Sequence, residues 1–108
     1  MQPLPQKEIE HWLGEHTGWR QEGKGLARDL RFQDFLTAWA FMSHVADCAE
    51  AQDHHPNWYN VYGTVQIRLS SHDANGITER DFALAQSIDG YLANVAHTDL
   101  PATPIFST

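Results

Sequence analysis

Three histidines stand among acidic side chains between residues 50 and 81. His54 and His55 are adjacent and run into Pro56, with Glu50 and Asp53 just before them. His72 follows farther on, flanked by Ser71 and Asp73, and Asp81 closes the segment. Imidazole is the side chain that both gives and takes a proton near neutral pH. Carboxylates beside it can orient or charge it. The pattern points to general acid-base chemistry.

Other readings of these residues are weaker. Three histidines and a carboxylate could hold zinc or iron. Adjacent ligands point apart, however, and neither His-x-His nor His-Glu-x-x-His spacing occurs, so no metal is expected. Histidines beside a proline can also serve only to cap a helix. A nucleophilic triad has little support. Cys48, the single cysteine, lies in an apolar helical pattern as a small buried hydrophobe. No serine sits in a Gly-x-Ser-x-Gly elbow. His11, His16, His44 and His97 fall outside the cluster and read as surface or helix-face residues.

The elements that must position the cluster can be read from periodicity. Pro5 suits the first turn of a helix, on which Ile9, Trp12 and Leu13 share one face, and Gly14 or Gly18 ends it. Residues 19–22 and 26–32 form two strands around the Gly23-Lys24-Gly25 turn. Arg28 falls on the apolar parity of the second. A long helix spans residues 33–52, with Phe35, Trp39, Met42, Ala46 and Ala49 as its inward stripe, widened by Leu36 and Val45. His55-Pro56 stops it. Strands at 59–62 and 64–71 meet at Gly63, the second directing Val65, Ile67 and Leu69 one way and Thr64, Gln66 and Arg68 the other. Asp73-Ala74-Asn75-Gly76 is a turn. Thr78 with Asp81 forms an approximate capping box for a last helix over 79–96, with Ala85, Ile88, Leu92 and Val95 inward. The tail over 97–108 is expected to be extended and loosely held.

The order is α-β-β-α-β-β-α. Its hairpins make a four-stranded, mainly antiparallel sheet with three helices on one face, an α+β two-layer sandwich. A length of 108 residues suits a single domain with its core over about 3–96. The formal charge of −7 repels phosphate backbones, so no direct nucleic-acid contact is expected. No apolar run approaches the roughly 20 residues that span a bilayer. The N-terminus lacks the basic and apolar segments of a signal peptide, so a cytoplasmic location is expected. Open sheet edges invite pairing, which predicts a homodimer, and the long helix offers a contact for a homotetramer.

The spacing Glu50, three residues, His54-His55-Pro56, five residues, Tyr62, nine residues, His72, eight residues, Asp81 resembles the signature of the pterin-4a-carbinolamine dehydratases. The runs Tyr59-Asn60-Val61-Tyr62 and Gly76-Ile77-Thr78-Glu79-Arg80-Asp81 are similar to that family too, and the likeness covers roughly residues 3–96. Trp19, in a Gly-Trp pair, matches a pocket tryptophan of the family. Ser71 stands where threonine is common, and Asp73 where glutamate also occurs.

The resemblance implies dehydration of a 4a-hydroxytetrahydropterin to quinonoid dihydropterin and water, which recycles tetrahydropterin without a cofactor. It implies catalytic roles for His54, His55 and His72. Substrate contacts or tuning fall to Glu50, Asp53, Trp19, Ser71, Asp73 and Asp81. His54 and His72 are expected to exchange protons, His55 to position the pterin and Trp19 to pack against its flat ring. Asp81 is expected to hold a histidine or to cap the last helix, and Arg80 to be an ordinary solvated charge. The three imidazoles are expected to share one metal-free cavity. Relatives of this kind also include non-catalytic assembly proteins and a transcriptional cofactor; retention of all three histidines favours the enzyme. A related reaction on another pterin is a further alternative.

Overall fold

The computed structural model describes residues 2–104. Pro5 precedes the first helix, α1 (Gln6–Glu15), where its missing N–H costs nothing. Strands β1 (Arg20–Glu22) and β2 (Gly25–Arg31) form the first hairpin. Gly23 takes a positive φ of 57° at its turn, a conformation that favours glycine. The long helix α2 (Phe35–Gln52) follows, then β3 (Asn57–Val61) and β4 (Thr64–Leu69). A 3-10 turn (His72–Ala74) leads to α3 (Glu79–Leu92), and a short strand β5 (Thr98–Asp99) follows.

The strand order is β1-β2-β4-β3, every pair antiparallel, and β5 adds to β2 with Leu30 opposite Asp99. The expected α+β two-layer architecture is therefore present, with β5 as an addition. Alternation in the strands decides the layers. Leu26 and Leu30 of β2 and Val65, Ile67 and Leu69 of β4 face the helices, where they meet Ile9, Trp12, Phe41, Val45, Leu84 and Ile88. Burying each large side chain of this kind is worth about 1.5–3 kcal/mol. Arg28 shares the inward parity yet is satisfied. Its guanidinium bonds Asp89 Oδ1 at 2.6 Å and Asp99 Oδ1 at 2.9 Å, beside the Trp19 ring.

The inward face of α2 differs from the expected stripe. Ala38, Phe41, Val45 and Ala49 are buried, whereas Phe35, Leu36 and Trp39 are exposed. Ala46 is exposed as well, and Met42 is half-buried. Residues 35–42 are apolar nearly all round, so period alone cannot select the buried side. Cys48 is only half-buried, with Sγ 3.6 Å from His44 Nε2. Gly63 serves close approach rather than an unusual backbone angle: a Cβ there would stand 2.5 Å from the Phe32 carbonyl oxygen, while Tyr62 takes the positive φ of 51°. The tail also departs from expectation: β5 and residues 100–104 are bonded to the sheet. No helix among the described residues is long and apolar enough to cross a membrane.

Asp34 caps α2. Its Oδ1 accepts from the Thr37 hydroxyl at 2.6 Å and the Thr37 N–H at 2.8 Å. These bonds, the hydroxyl's first, hold its carboxyl below the ordinary 3.8. A carboxylate whose pKa falls on folding adds stability that is complete above its unfolded pKa and fades as pH falls through the lowered one. Asp34→Ala is therefore expected to lower Tm more at pH 7 than at pH 3, measured by thermal melts. An equal deficit at both would show that the cap's charge contributes nothing.

Candidate functional site

The histidine segment begins where α2 ends. Asp53 takes a left-handed conformation, φ 50° and ψ 43°, and its N–H points back to the Ala49 and Glu50 carbonyls. Such a residue terminates a helix and turns the chain sharply. The His54 N–H also returns to the Ala49 carbonyl, at 3.0 Å. Beyond this turn the backbone extends towards β3, so His54 and His55 project to opposite sides. His54 is 7% exposed, whereas His55 is open to solvent.

Sheet register brings the second stretch alongside. Asn57 at the start of β3 lies opposite Arg68 near the end of β4. Antiparallel pairing therefore places residues just before β3 beside those just after β4, and His54 falls level with Ser71. Gly76 returns to Ser71 in an isolated bridge, closing the loop that holds the 3-10 turn. Asn75, at φ 54°, makes that return possible.

Asp81 joins the two stretches from a third. It is the N3 residue of α3, fully buried, and reciprocates the Thr78 cap: the Thr78 N–H donates to its Oδ2 at 2.9 Å. The Ser71 hydroxyl donates to the same oxygen at 2.9 Å. Since Ser71 has spent its only hydrogen, the Thr78 hydroxyl is the donor in their 2.6 Å contact. His54 Nε2 lies 2.6 Å from Asp81 Oδ1. A carboxylate oxygen accepts, so Nε2 carries the hydrogen and Nδ1 is the ring atom left to exchange a proton.

A second carboxylate–imidazole pair lies on the solvent side, with His55 Nε2 2.6 Å from Glu50 Oε2. His72 stands exposed at the head of the 3-10 turn. Asp73 beside it pairs with Arg80 Nη2 at 2.5 Å. That hydrogen bond, chiefly, holds the Asp73 carboxyl below its ordinary 3.8. Arg80 is thus part of a rim pair rather than the simple solvated charge expected. Asp53 is exposed, its backbone shaping the turn. No three His, Cys, Asp or Glu side chains among the described residues are grouped to hold a metal.

Two expectations are corrected. The single chain presents His55 and His72 on its surface, so the three imidazoles border an open sheet end rather than share an enclosed cavity. Trp19 is not beside them. Its ring is buried, and its Nε1–H donates to Asp89 Oδ1 at 2.9 Å. Asp89 lies two turns along α3 from Asp81, about 12 Å at 1.5 Å per residue. Trp19 instead borders a cavity of about 450 Å³ with Gly18, Arg20, Arg28 and Asp99. Thr78 was legible as a cap but not as a member of the histidine network; the hydroxyl pairing with Ser71 has no signal in local spacing.

Comparison with known proteins identifies the family and the fold. The profile of the family described as Pterin 4 alpha carbinolamine dehydratase matches residues 2–91. A relative from Christiangramia forsetii, provisionally named a pterin-4-alpha-carbinolamine dehydratase, is 43% identical over 89 residues, which is 82% of this chain and 92% of the relative. One from Synechococcus sp. (strain WH7803), with the same provisional name, is 48% identical over 86 residues, covering 80% and 92%. A crystal structure of a transcriptional coactivator/pterin dehydratase from Brucella melitensis superposes with a TM-score of 0.79 at 36% identity, covering 82% of this chain and 96% of that one.

Removing the Asp81 charge leaves buried donors without their acceptor, at about 1–3 kcal/mol for each unsatisfied group. Asp81→Asn is expected to lower stability by about 2 kcal/mol or more in urea denaturation. In the wild type, long-range ¹H–¹⁵N NMR is expected to find His54 protonated on Nε2 when neutral. A hydrogen on Nδ1 instead would break the assignment.

Proposed function

The chain belongs to the pterin-4a-carbinolamine dehydratase family, and from that premise we propose that it dehydrates a 4a-hydroxytetrahydropterin to quinonoid dihydropterin by histidine acid-base catalysis. The chemistry is light. The C4a hydroxyl accepts a proton and leaves as water. The N5–H proton passes to a base, and the N5 lone pair forms the new double bond to C4a. Groups that trade protons near neutral pH suffice for both transfers.

The reading rests on one observation: the buried Asp81 carboxylate ties His54 to Ser71, the neighbour of His72. One imidazole is thereby fixed in tautomer and orientation next to the backbone that carries another. We assign proton exchange to His54, through Nδ1, and to His72. His55 with Glu50 positions the pterin, and Ser71, Asp73, Asp81 and Asp53 shape the site. The His55–Glu50 pair favours a second arrangement in which His55, the more accessible imidazole, trades the proton and His54 only supports it.

Alanine at His54 or His72 is expected to lower turnover of synthetic carbinolamine by about 10²-fold or more, followed by stopped flow. Full activity in both variants would remove the acid-base assignment. A large loss at His55 with little at His54 would select the second arrangement. A chain with no dehydratase activity at all would favour a non-catalytic assembly or coactivator role, the other word in the Brucella protein's name.

We further propose that the protein works as a homodimer or homotetramer. β3 is the outer strand of the path, with Tyr59 and Val61 exposed on it and Tyr62 just beyond, and α2 presents Phe35, Leu36 and Trp39 to solvent. Apolar groups this exposed suit a subunit contact. Trp39→Glu is expected to reduce the mass measured by light scattering while leaving the folded far-UV spectrum intact. An unchanged mass would exclude α2 from the interface.

A further inference from the structure

The face of the sheet opposite the helices is polar and organised. Asp29 of β2, whose side chain is 1% exposed, accepts from Arg20 Nη2 at 3.0 Å and from Arg68 Nη1 at 2.7 Å. Glu22 completes a ring with the same two arginines. Gln66 of β4 is buried beside them. These groups receive residues 98–104, which lie beyond the span matched to the family and take no part in the apolar core.

After α3 the chain pairs as β5 along β2, and Asp99 grips Arg28 with both carboxylate oxygens, at 2.9 and 3.3 Å. It then crosses onto the open face. The Leu100 N–H donates to the Asp29 carbonyl at 2.9 Å, and the Thr103 N–H donates to Asp29 Oδ2 at 3.3 Å. The Thr103 carbonyl accepts from Arg68 Nη2 at 3.1 Å and from Gln66 Nε2 at 3.3 Å. The Pro104 carbonyl accepts from Gln66 Nε2 at 3.0 Å. Leu100 and Thr103 each precede a proline, which biases both towards extended backbone.

Nearly all of these contacts address main-chain atoms, the signature of a surface that recognises an extended segment by its backbone. One side-chain anchor, Asp99, supplies selectivity through charge. The seating is incomplete: a cavity of about 250 Å³ remains among Asp29, Arg31, Gln66, Leu100 and Thr103. A strap held by polar contacts and one half-exposed ion pair opens far more readily than a core element.

We propose that the open face of the sheet is a docking surface for an extended polypeptide carrying an acidic anchor, and that residues 98–104 fill it in cis as a strap latched by the Arg28–Asp99 pair. A tethered strap competes at an effective concentration of about millimolar, so an outside segment binds well only when the latch is weakened. The dehydratase reading is independent of this surface.

The test uses the full chain and its Asp99→Ala variant. In the wild type, hydrogen exchange at the Leu100 and Thr103 amides is expected to run at least about tenfold slower than in an unstructured peptide. In the variant it is expected to approach the unstructured rate. A fluorescein-labelled peptide with the sequence of residues 98–104 is expected to bind the variant at least about tenfold more tightly than the wild type by anisotropy, because the competitor is gone. Gln66→Leu added to the variant is expected to abolish that binding. Unprotected amides in the wild type, protection that survives loss of Asp99, or a lifted strap with no peptide binding would each overturn the proposal.

Discussion

A single buried carboxylate holds the site end of this molecule together. Asp81 receives hydrogen bonds from the Thr78 amide, the Ser71 hydroxyl and His54. Its donors come from the segment after α2, the segment after β4 and the cap of α3. A buried charge is costly unless its lone pairs are occupied, and removal of one partner is worse than the absence of all. The network is therefore cooperative: cap, loop and imidazole are correct together. The bond that closes α3 at its N-terminus is made by the residue that fixes His54, so helix geometry and imidazole orientation are one constraint.

The two faces of the sheet carry different physics. Towards the helices, Val65, Ile67 and Leu69 pack against apolar side chains and define the layer. On the other side, Asp29, Arg20, Arg68 and Glu22 neutralise one another in a ring. Desolvated ion pairs contribute little net stability, but they specify geometry strongly when every donor has an acceptor. The open face is thus pre-shaped and polar. The chemistry assigned to the histidines occupies the sheet end at the start of β3, where Asn57 lies opposite Arg68 of that ring.

Much of this was legible in the sequence where one rule acted alone. Strand alternation at 64–69, the Thr78–Asp81 capping box and the C-terminal end of α2 at Gln52 follow from local chemistry, and the structure has them. The start of α2 lies at Phe35, after the Asp34 cap, rather than at residue 33. The pairing of Asp81 with a histidine was expected as one of two roles, and the geometry fulfils both. The failures arise where tertiary context chooses among equal options. The first two turns of α2 are apolar on every side, so which residues face inward depends on where the sheet lies. Trp19 has a local neighbourhood consistent with a pocket, yet its partner Asp89 is 70 residues away. Arg28 looked like a flaw in β2 because both carboxylates that satisfy it come from later in the chain. The seating of residues 98–104 depends on Asp29, Gln66 and Arg68, which no local pattern links to them.

The left-handed residue at the end of α2 sets a parity. From Asp53 onward, alternate side chains face alternate sides, so the count of residues up to Asn57 decides which imidazole goes inside. A single deletion or insertion in this short connector would exchange the neighbours, burying His55's position against the acid and turning His54's outward. Composition would be untouched and every ring still present. The fold tolerates drift in the identity of surface residues here far better than drift in their number, and the adjacency of two identical rings hides how different their assignments are.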